Sequence, residues 1–416
     1  MMMTNSLDFI PVLPFSSFKW KWASFQCTEG INDPVVLLGV LYRMRKLELL
    51  DLGYKFSSPE FTHELKELSN DIKDSIGIDL AGRGGDRNLI RNSGQYWKAT
   101  GLIPSDNRSG VIKLTPFGRN VADHNISQTE FAIYTISHFK LPNTSIQPKS
   151  EVELWNNAGL SFRPLLLLLQ IFKALHDKGI QRGLCTDDIV RIIEPLSSQH
   201  VSVDDYLFFL EAYWEGRLDT TNWPNCALGA NDKRVAREFL LFLHNYGFLD
   251  TVPNDYANRF KEEYCLNPLI VDEVNVIIQR ALANKYSSRS DENISSEVER
   301  KRAKGRPNQA NFRRLVLDAC ERCVITNATM PEILEAAHIK PYRYNGEDTA
   351  ANGFAMRTDI HILFDTGHLR ISPEGNVKLS DRARMDYGSI IPPRIVIPSF
   401  INLEFVRWRW ENCSGF

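Results

Sequence analysis

The 416-residue chain has no hydrophobic run able to cross a bilayer: its most apolar stretch, Leu165 to Phe172, falls far short of the roughly 20 residues a spanning helix needs. No basic segment precedes the first apolar residues, so neither secretion nor membrane insertion is expected. Cysteine is scarce and odd in number, seven residues mostly far apart, which argues against a disulfide framework and fits a reducing, cytoplasmic setting. Charge of one sign is missing too. With 49 Lys+Arg against 51 Asp+Glu the net charge is -2, so any nucleic-acid surface must be local. What remains, 43% hydrophobic and 24% charged side chains, is an ordinary globular composition with enough length for two or three cores.

Composition shifts most sharply between Ala283 and Gln309, where a serine-rich stretch gives way to Glu-Arg-Lys-Arg-Ala-Lys-Gly-Arg-Pro, the pattern of a solvated connector. Before it, apolar residues recur at helical period; after it, segments shorten and alternate with turns. The expected organisation is a recognition module over 1–150, a second helical module over 151–285, a basic linker over 286–310 and a distinct C-terminal domain over 311–416. The fold class expected is α+β, a mainly helical N-terminal part followed by a small mixed domain.

The helical part carries a weak internal repeat. The segment from Asp86 to Ile103 lies on that from Asp232 to Leu249 at one constant offset, with Asp86 on Asp232, Arg91 on Arg237 and Gly101 on Gly247. Each copy follows a helix expected to start at a proline, Pro34 or Pro164. In the first copy a helix closing at Gly101 leads to an extended pair, Gly101-Leu-Ile-Pro and Val111-Ile-Lys-Leu-Thr, around a polar turn. That order resembles a winged-helix module, in which the helix before the wing enters the major groove. Arg87, Asn88, Arg91, Asn92, Gln95 and Lys98 would then reach bases or phosphates. The plainer reading of the same residues is a solvated helix face. Gly82-Arg-Gly-Gly-Asp lacks the Lys-Ser/Thr of a phosphate loop and is read as a flexible lead.

Three segments near the C-terminus carry chemistry: Phe312 to Asn327, with Cys320 and Cys323; Glu335-Ala-Ala-His-Ile-Lys-Pro-Tyr; and Ala351-Asn-Gly-Phe-Ala-Met-Arg-Thr-Asp-Ile-His-Ile-Leu-Phe-Asp. His338 lies at the end of a short expected strand, before a turn, where an imidazole can face a groove. Asn352 sits in a second turn before Gly353. Thr358 is placed to cap a helix on which His361 and Asp365, four apart, share a face and could give one nitrogen and one oxygen to a divalent ion. Cys320 and Cys323 lack two further ligands nearby, so structural zinc is not expected.

Together these segments resemble the HNH endonuclease family, with its ββα-metal fold, over about residues 306–372. The resemblance implies His338 as the general base, Asn352 as the residue holding the base loop or its imidazole, and His361 with Asp365 as the metal side, His361 also counting as catalytic. The ion implied is divalent, Mg2+ or Mn2+. Many family members carry a metal ligand immediately before the base, whereas this chain has Ala337. Arg300, Lys301, Arg302, Lys304 and Arg306 are expected to clamp the DNA backbone, and Arg370 to touch phosphate.

A nuclease core joined to a repeat-bearing helical part resembles restriction endonucleases in which winged-helix domains choose a double-stranded DNA site and an HNH domain cuts it. One such site cuts one strand, so a double-strand break calls for a homodimer or two successive nicks. A restriction role would pair the chain with a protective methyltransferase in the host. Two other readings stand beside it: a nuclease reading a modified base or backbone, for which Trp20, Trp22, Tyr96 and Trp97 could supply an aromatic cage, and a non-catalytic DNA-binding or defence-complex protein with an HNH relic.

Overall fold

The structure is a computed structural model that describes residues 7–15, 22, 33–77, 93–227, 229–253, 258–283, 309–341 and 344–412. Proline-started helices lie where the sequence places them. Helix α1 (Pro34–Leu49) begins after Asp33, whose carboxylate accepts from the Val35 amide, and α2 (Pro59–Ile76) after Ser58, whose hydroxyl accepts from the Phe61 amide. Then come α3 (Ser93–Ala99), α4 (Pro116–Ala122), α5 (Gln128–His138), α6 (Lys149–Asn157) and α7 (Pro164–Asp177). The short α8 (Thr186–Asp188) runs through a π turn into α9 (Glu194–Ser197), followed by α10 (Val203–Trp214) and α11 (Ala230–Asn245). Strand β1 (Leu249–Thr251) pairs antiparallel with β2 (Tyr264–Leu266), and α12 (Val271–Ala283) follows.

The C-terminal part opens with α13 (Gln309–Cys320), then β3 (Leu334–His338) paired antiparallel with β4 (Gly353–Arg357), then α14 (Thr358–Asp365). A second hairpin, β5 (Leu369–Ile371) and β6 (Val377–Leu379), leads to α15 (Asp381–Tyr387) and α16 (Leu403–Asn412). The described chain is thus a mixture of many helices with small antiparallel strand pairs.

Two compact units divide the chain. One takes Met1–Cys27, Ile133–Asn267 and Val271–Tyr286; the other takes Thr28–Ala132, Pro268–Ile270 and Ser287–Phe416. The second unit therefore holds α1 to α4, the first turn of α5 and the whole C-terminal part.

Each unit contains one copy of the repeat, and both copies run in the same order. In one, α7 is followed by Leu184, which bridges Tyr264 of β2, then by α8 and α9 and later by α11 with its β1–β2 hairpin. In the other, α1 is followed by Lys55, which bridges Val111, then by α2 and α3. The glycine turns match in detail. Gly101 and Gly247 both have φ +75°, their amides donate to Lys98 O at 3.1 Å and His244 O at 2.9 Å, and the next amides, Leu102 and Phe248, reach back to Trp97 O at 2.8 Å and Leu243 O at 2.9 Å. A left-handed residue closes each helix, which is why glycine recurs there.

The expected extended pair differs between the copies. After α11 it is a true hairpin; after α3, Val111 pairs with Lys55 instead, and the contact to the first arm is made by Thr115, whose amide donates to Leu102 O at 3.0 Å and whose hydroxyl donates to Gly101 O at 2.6 Å. Arg87, Asn88, Arg91 and Asn92 lie outside the described residues, as do Arg300 to Arg306.

The hairpin β3–β4 owes its fit to Gly353. A Cβ there would stand 2.3 Å from Val316 Cγ2 and 2.9 Å from Phe312 Cζ, so only glycine lets α13 lie against the strand. Cys323, Ala337, Phe354, Met356, Ile360 and Phe364 form the core behind it, all at most 1% exposed.

Candidate active site

The turn linking β3 to β4 is built around Asn352, which is fully buried. Its carbonyl oxygen Oδ1 accepts from the Lys340 amide at 2.8 Å, and its Nδ2 donates to Lys340 O at 3.0 Å and Glu347 O at 2.8 Å. Asn352 therefore braces the loop after β3, its side-chain bonds going to the backbone of Lys340 and Glu347 and not to the His338 imidazole. Removing its side chain takes away three hydrogen bonds to the backbone of Lys340 and Glu347. Asn352→Ala is expected to destabilise the fold by about 3 kcal/mol, read from denaturant unfolding. A loss under about 1 kcal/mol would show that water takes over the clamp.

That loop presents His338 at the end of β3. Its imidazole lies flat on Phe312, ring centroids 3.7 Å apart and planes 15° apart, and Nε2 faces Asp348 Oδ1 at 2.9 Å. A carboxylate only accepts, so Nε2 carries a proton and, in the neutral ring, the lone pair resides on Nδ1. Asp348 was not singled out from the sequence; it stands ten residues from His338 in a polar turn whose path only the fold fixes.

Helix α14 carries the other half. His361 is 4% exposed, with Nε2 3.2 Å from Asp365 Oδ2 on the next turn of the helix and Nδ1 2.9 Å from Glu335 Oε2 on β3. Glu335 is itself buried. Burial would lower the His361 pKa, but Asp365 and Glu335 on its two sides overcome this and raise it to about 10. Asp365 is held near 2 against the opposing effect of burial, by the charges of His361, Arg409 and His338. That coupling places His338, His361 and Asp365 in one electrostatic neighbourhood.

Thr358 departs from expectation. It is the first residue of α14, and its hydroxyl donates to Ile333 O at 3.1 Å instead of capping the helix, tying the helix start to the approach of β3. Asp359 takes over locally, accepting from the Ile360 amide and from Arg357.

An imidazole nitrogen beside a carboxylate oxygen, with a second carboxylate fixing the far side of the ring, is a donor set that suits a divalent cation and an orienting partner for it. Among the described residues no cluster of three or more His, Cys, Asp or Glu is arranged to hold a metal; at this site two such groups, His361 Nε2 and Asp365 Oδ2, face each other. Cys323 is buried in the core, and Cys320 is half-buried.

The remaining candidates are placed as follows. Gln95 is exposed on α3, and Lys98 Nζ donates to Asn107 O at 3.0 Å. The Arg370 guanidinium lies over the Trp410 ring at 4.4 Å and donates to Trp410 O. His368 leaves the helix after Gly367 and pairs with Ser380. Trp22, Tyr96 and Trp97 are each 1% exposed, so these three are core residues and line no open cage. Two aromatics missed in the sequence flank the loop instead: Trp408 stands 5.0 Å from Tyr344, ring to ring, with Lys340 Nζ 5.4 Å above Trp408.

Residues 323–372 match the HNH_2 family, described as HNH endonuclease. The match covers both halves of this site, from Cys323 through β3, β4 and α14 to the end of β5. No curated protein matches the chain. No helix among the described residues is long and apolar enough to cross a membrane.

Proposed function

We propose that this chain, which carries an HNH endonuclease domain, is a metal-dependent DNA endonuclease of restriction type. The observation that carries the reading is the pairing of a buttressed imidazole, His338 with Asp348 on Nε2, with a second, buried imidazole–carboxylate pair, His361 and Asp365. His338 Nδ1 takes the proton from the water that attacks phosphorus, and Asp348 stabilises the imidazolium that results. His361 and Asp365 would hold a divalent ion, which when bound would supply positive charge to the phosphoryl and leaving oxygens. Asn352 fixes the loop that sets the base against the scissile phosphate, and Glu335 keeps the His361 ring aimed.

Site choice falls to the helical modules. The shared order of helix, bridging residue, helix, glycine-closed helix and return to the bridge supports a winged-helix reading for both copies. The helix before the wing would then read DNA through Arg87, Asn88, Arg91, Asn92, Gln95 and Lys98, with Arg300, Lys301, Arg302, Lys304 and Arg306 adding salt-sensitive backbone contacts. Cutting both strands calls for two copies of the chain or two successive nicks.

The test is to incubate the purified chain with matched unmodified and modified genomic DNA in Mg2+ or Mn2+ and to map the new ends by sequencing. Ends at one recurring motif in unmodified DNA support the restriction reading. Ends confined to modified DNA transfer specificity to the mark, and ends at no shared sequence remove the recognition role of the helical modules.

A further inference from the structure

The metal side of the site does not rest on the C-terminal part alone. Three contacts tie the approach to β3 and its first residues to the preceding helices of the same unit. Arg43 of α1, 8% exposed and also bound to Glu64 and Asp71, reaches Glu332 Oε1 at 3.0 Å. The buried His124 ring lies beside the Leu334 backbone. The backbone amide of Gln128, a residue with no exposure at all, donates to Glu335 Oε1 at 2.9 Å. The other oxygen of that same carboxylate holds His361 Nδ1, and His361 Nε2 faces Asp365. An amide at the start of α5 is thus the first member of a buried chain that runs through Glu335 and His361 to Asp365.

We infer that the Gln128 amide is a positioning group for the metal side of the nuclease, supplied by the helical part and acting through Glu335. The inference rests on the nuclease reading of this site. A carboxylate shared between two donors has less rotational freedom than one with a single donor, so the amide fixes the plane of Glu335 and, through it, the angle of the His361 ring. The C-terminal segment is then incomplete without α5, and whatever moves α5 moves the ring that holds the ion.

The position of Gln128 allows a clean test. It is the first residue of α5, directly after Ser127, which with Glu130 forms a reciprocal capping pair: the Glu130 amide donates to Ser127 Oγ and the Ser127 amide to Glu130 Oε2. Proline is well tolerated at that first position, so Gln128→Pro deletes one N–H while keeping the helix, whereas Gln128→Ala deletes the side chain and keeps the N–H. Mn2+ binding to the full-length chain, followed by paramagnetic resonance, is expected to weaken about tenfold in Gln128→Pro and to stay at the parent value in Gln128→Ala. Parent-like Mn2+ affinity in a folded Gln128→Pro chain overturns the inference.

Should the proline variant fail to fold, the parent labelled with 15N-glutamine serves instead: adding Mg2+ is expected to shift the Gln128 amide resonance, and an unmoved resonance with Mg2+ bound overturns the inference. A parent chain that binds neither ion overturns the nuclease reading itself, and the inference with it.

Discussion

Replacing His338 by alanine is expected to lower the single-turnover rate of DNA cleavage by about 10²- to 10⁴-fold while leaving DNA binding near the parent value. The size follows from the role. A positioned base acts only in the transition state, so its loss appears in the rate constant and not in affinity. The fold should tolerate the change, because His338 ends β3 at the edge of the site, stacked on Phe312 and facing Asp348, outside the apolar core. Asp348→Asn offers a graded companion. It keeps the shape but removes the carboxylate that stabilises the imidazolium, so a smaller loss than that of His338→Ala is expected. Equal cleavage by the parent and His338→Ala would remove His338 from the chemistry.

Asp365→Asn and His361→Ala are each expected to weaken Mn2+ binding by more than about 100-fold, since each removes one of the two groups the chain offers, and cleavage should fall with it at any fixed ion concentration. The pair also sets a pH dependence whose sign is fixed by the environment. In the metal-free chain His361 is raised to about 10 and so carries its proton throughout the neutral range. An ion must displace that proton from Nε2, so the apparent affinity is expected to rise with pH, by about tenfold per unit for one proton released, until pH approaches the His361 value. Calorimetry in two buffers of different ionisation enthalpy counts the protons. A pH-independent affinity between pH 6 and 8 would mean that the ion binds elsewhere.

The positions of the candidate residues were more legible in the sequence than their supports. His338, Asn352, His361 and Asp365 stand in short motifs on a hairpin followed by a helix, which leaves little freedom in where they lie. Asp348 and Glu335 were not identified: Asp348 occupies a turn with no periodic signal, and Glu335 reads as a polar residue on a short strand until the helix of His361 packs against it. The repeat was visible through Gly101 and Gly247, whose backbone conformation admits few other residues. The divergent pairing after α3 was not visible, since an extended segment gives no sign of its partner, and Val111 chooses Lys55. Least legible were the ties from Arg43, His124 and Gln128 to β3, which join positions about 200 or more residues apart and arise only when two segments enter one unit.

The most direct measurement is cleavage of a supercoiled plasmid by the purified chain at stoichiometric concentration, with Mg2+ or Mn2+ and with EDTA. Nicked or linear product is expected in the presence of the ion, none with chelator, and strong loss in His338→Ala. Plasmid left intact by a folded parent chain in both ions, or cut equally well in EDTA, would contradict the metal-dependent nuclease reading.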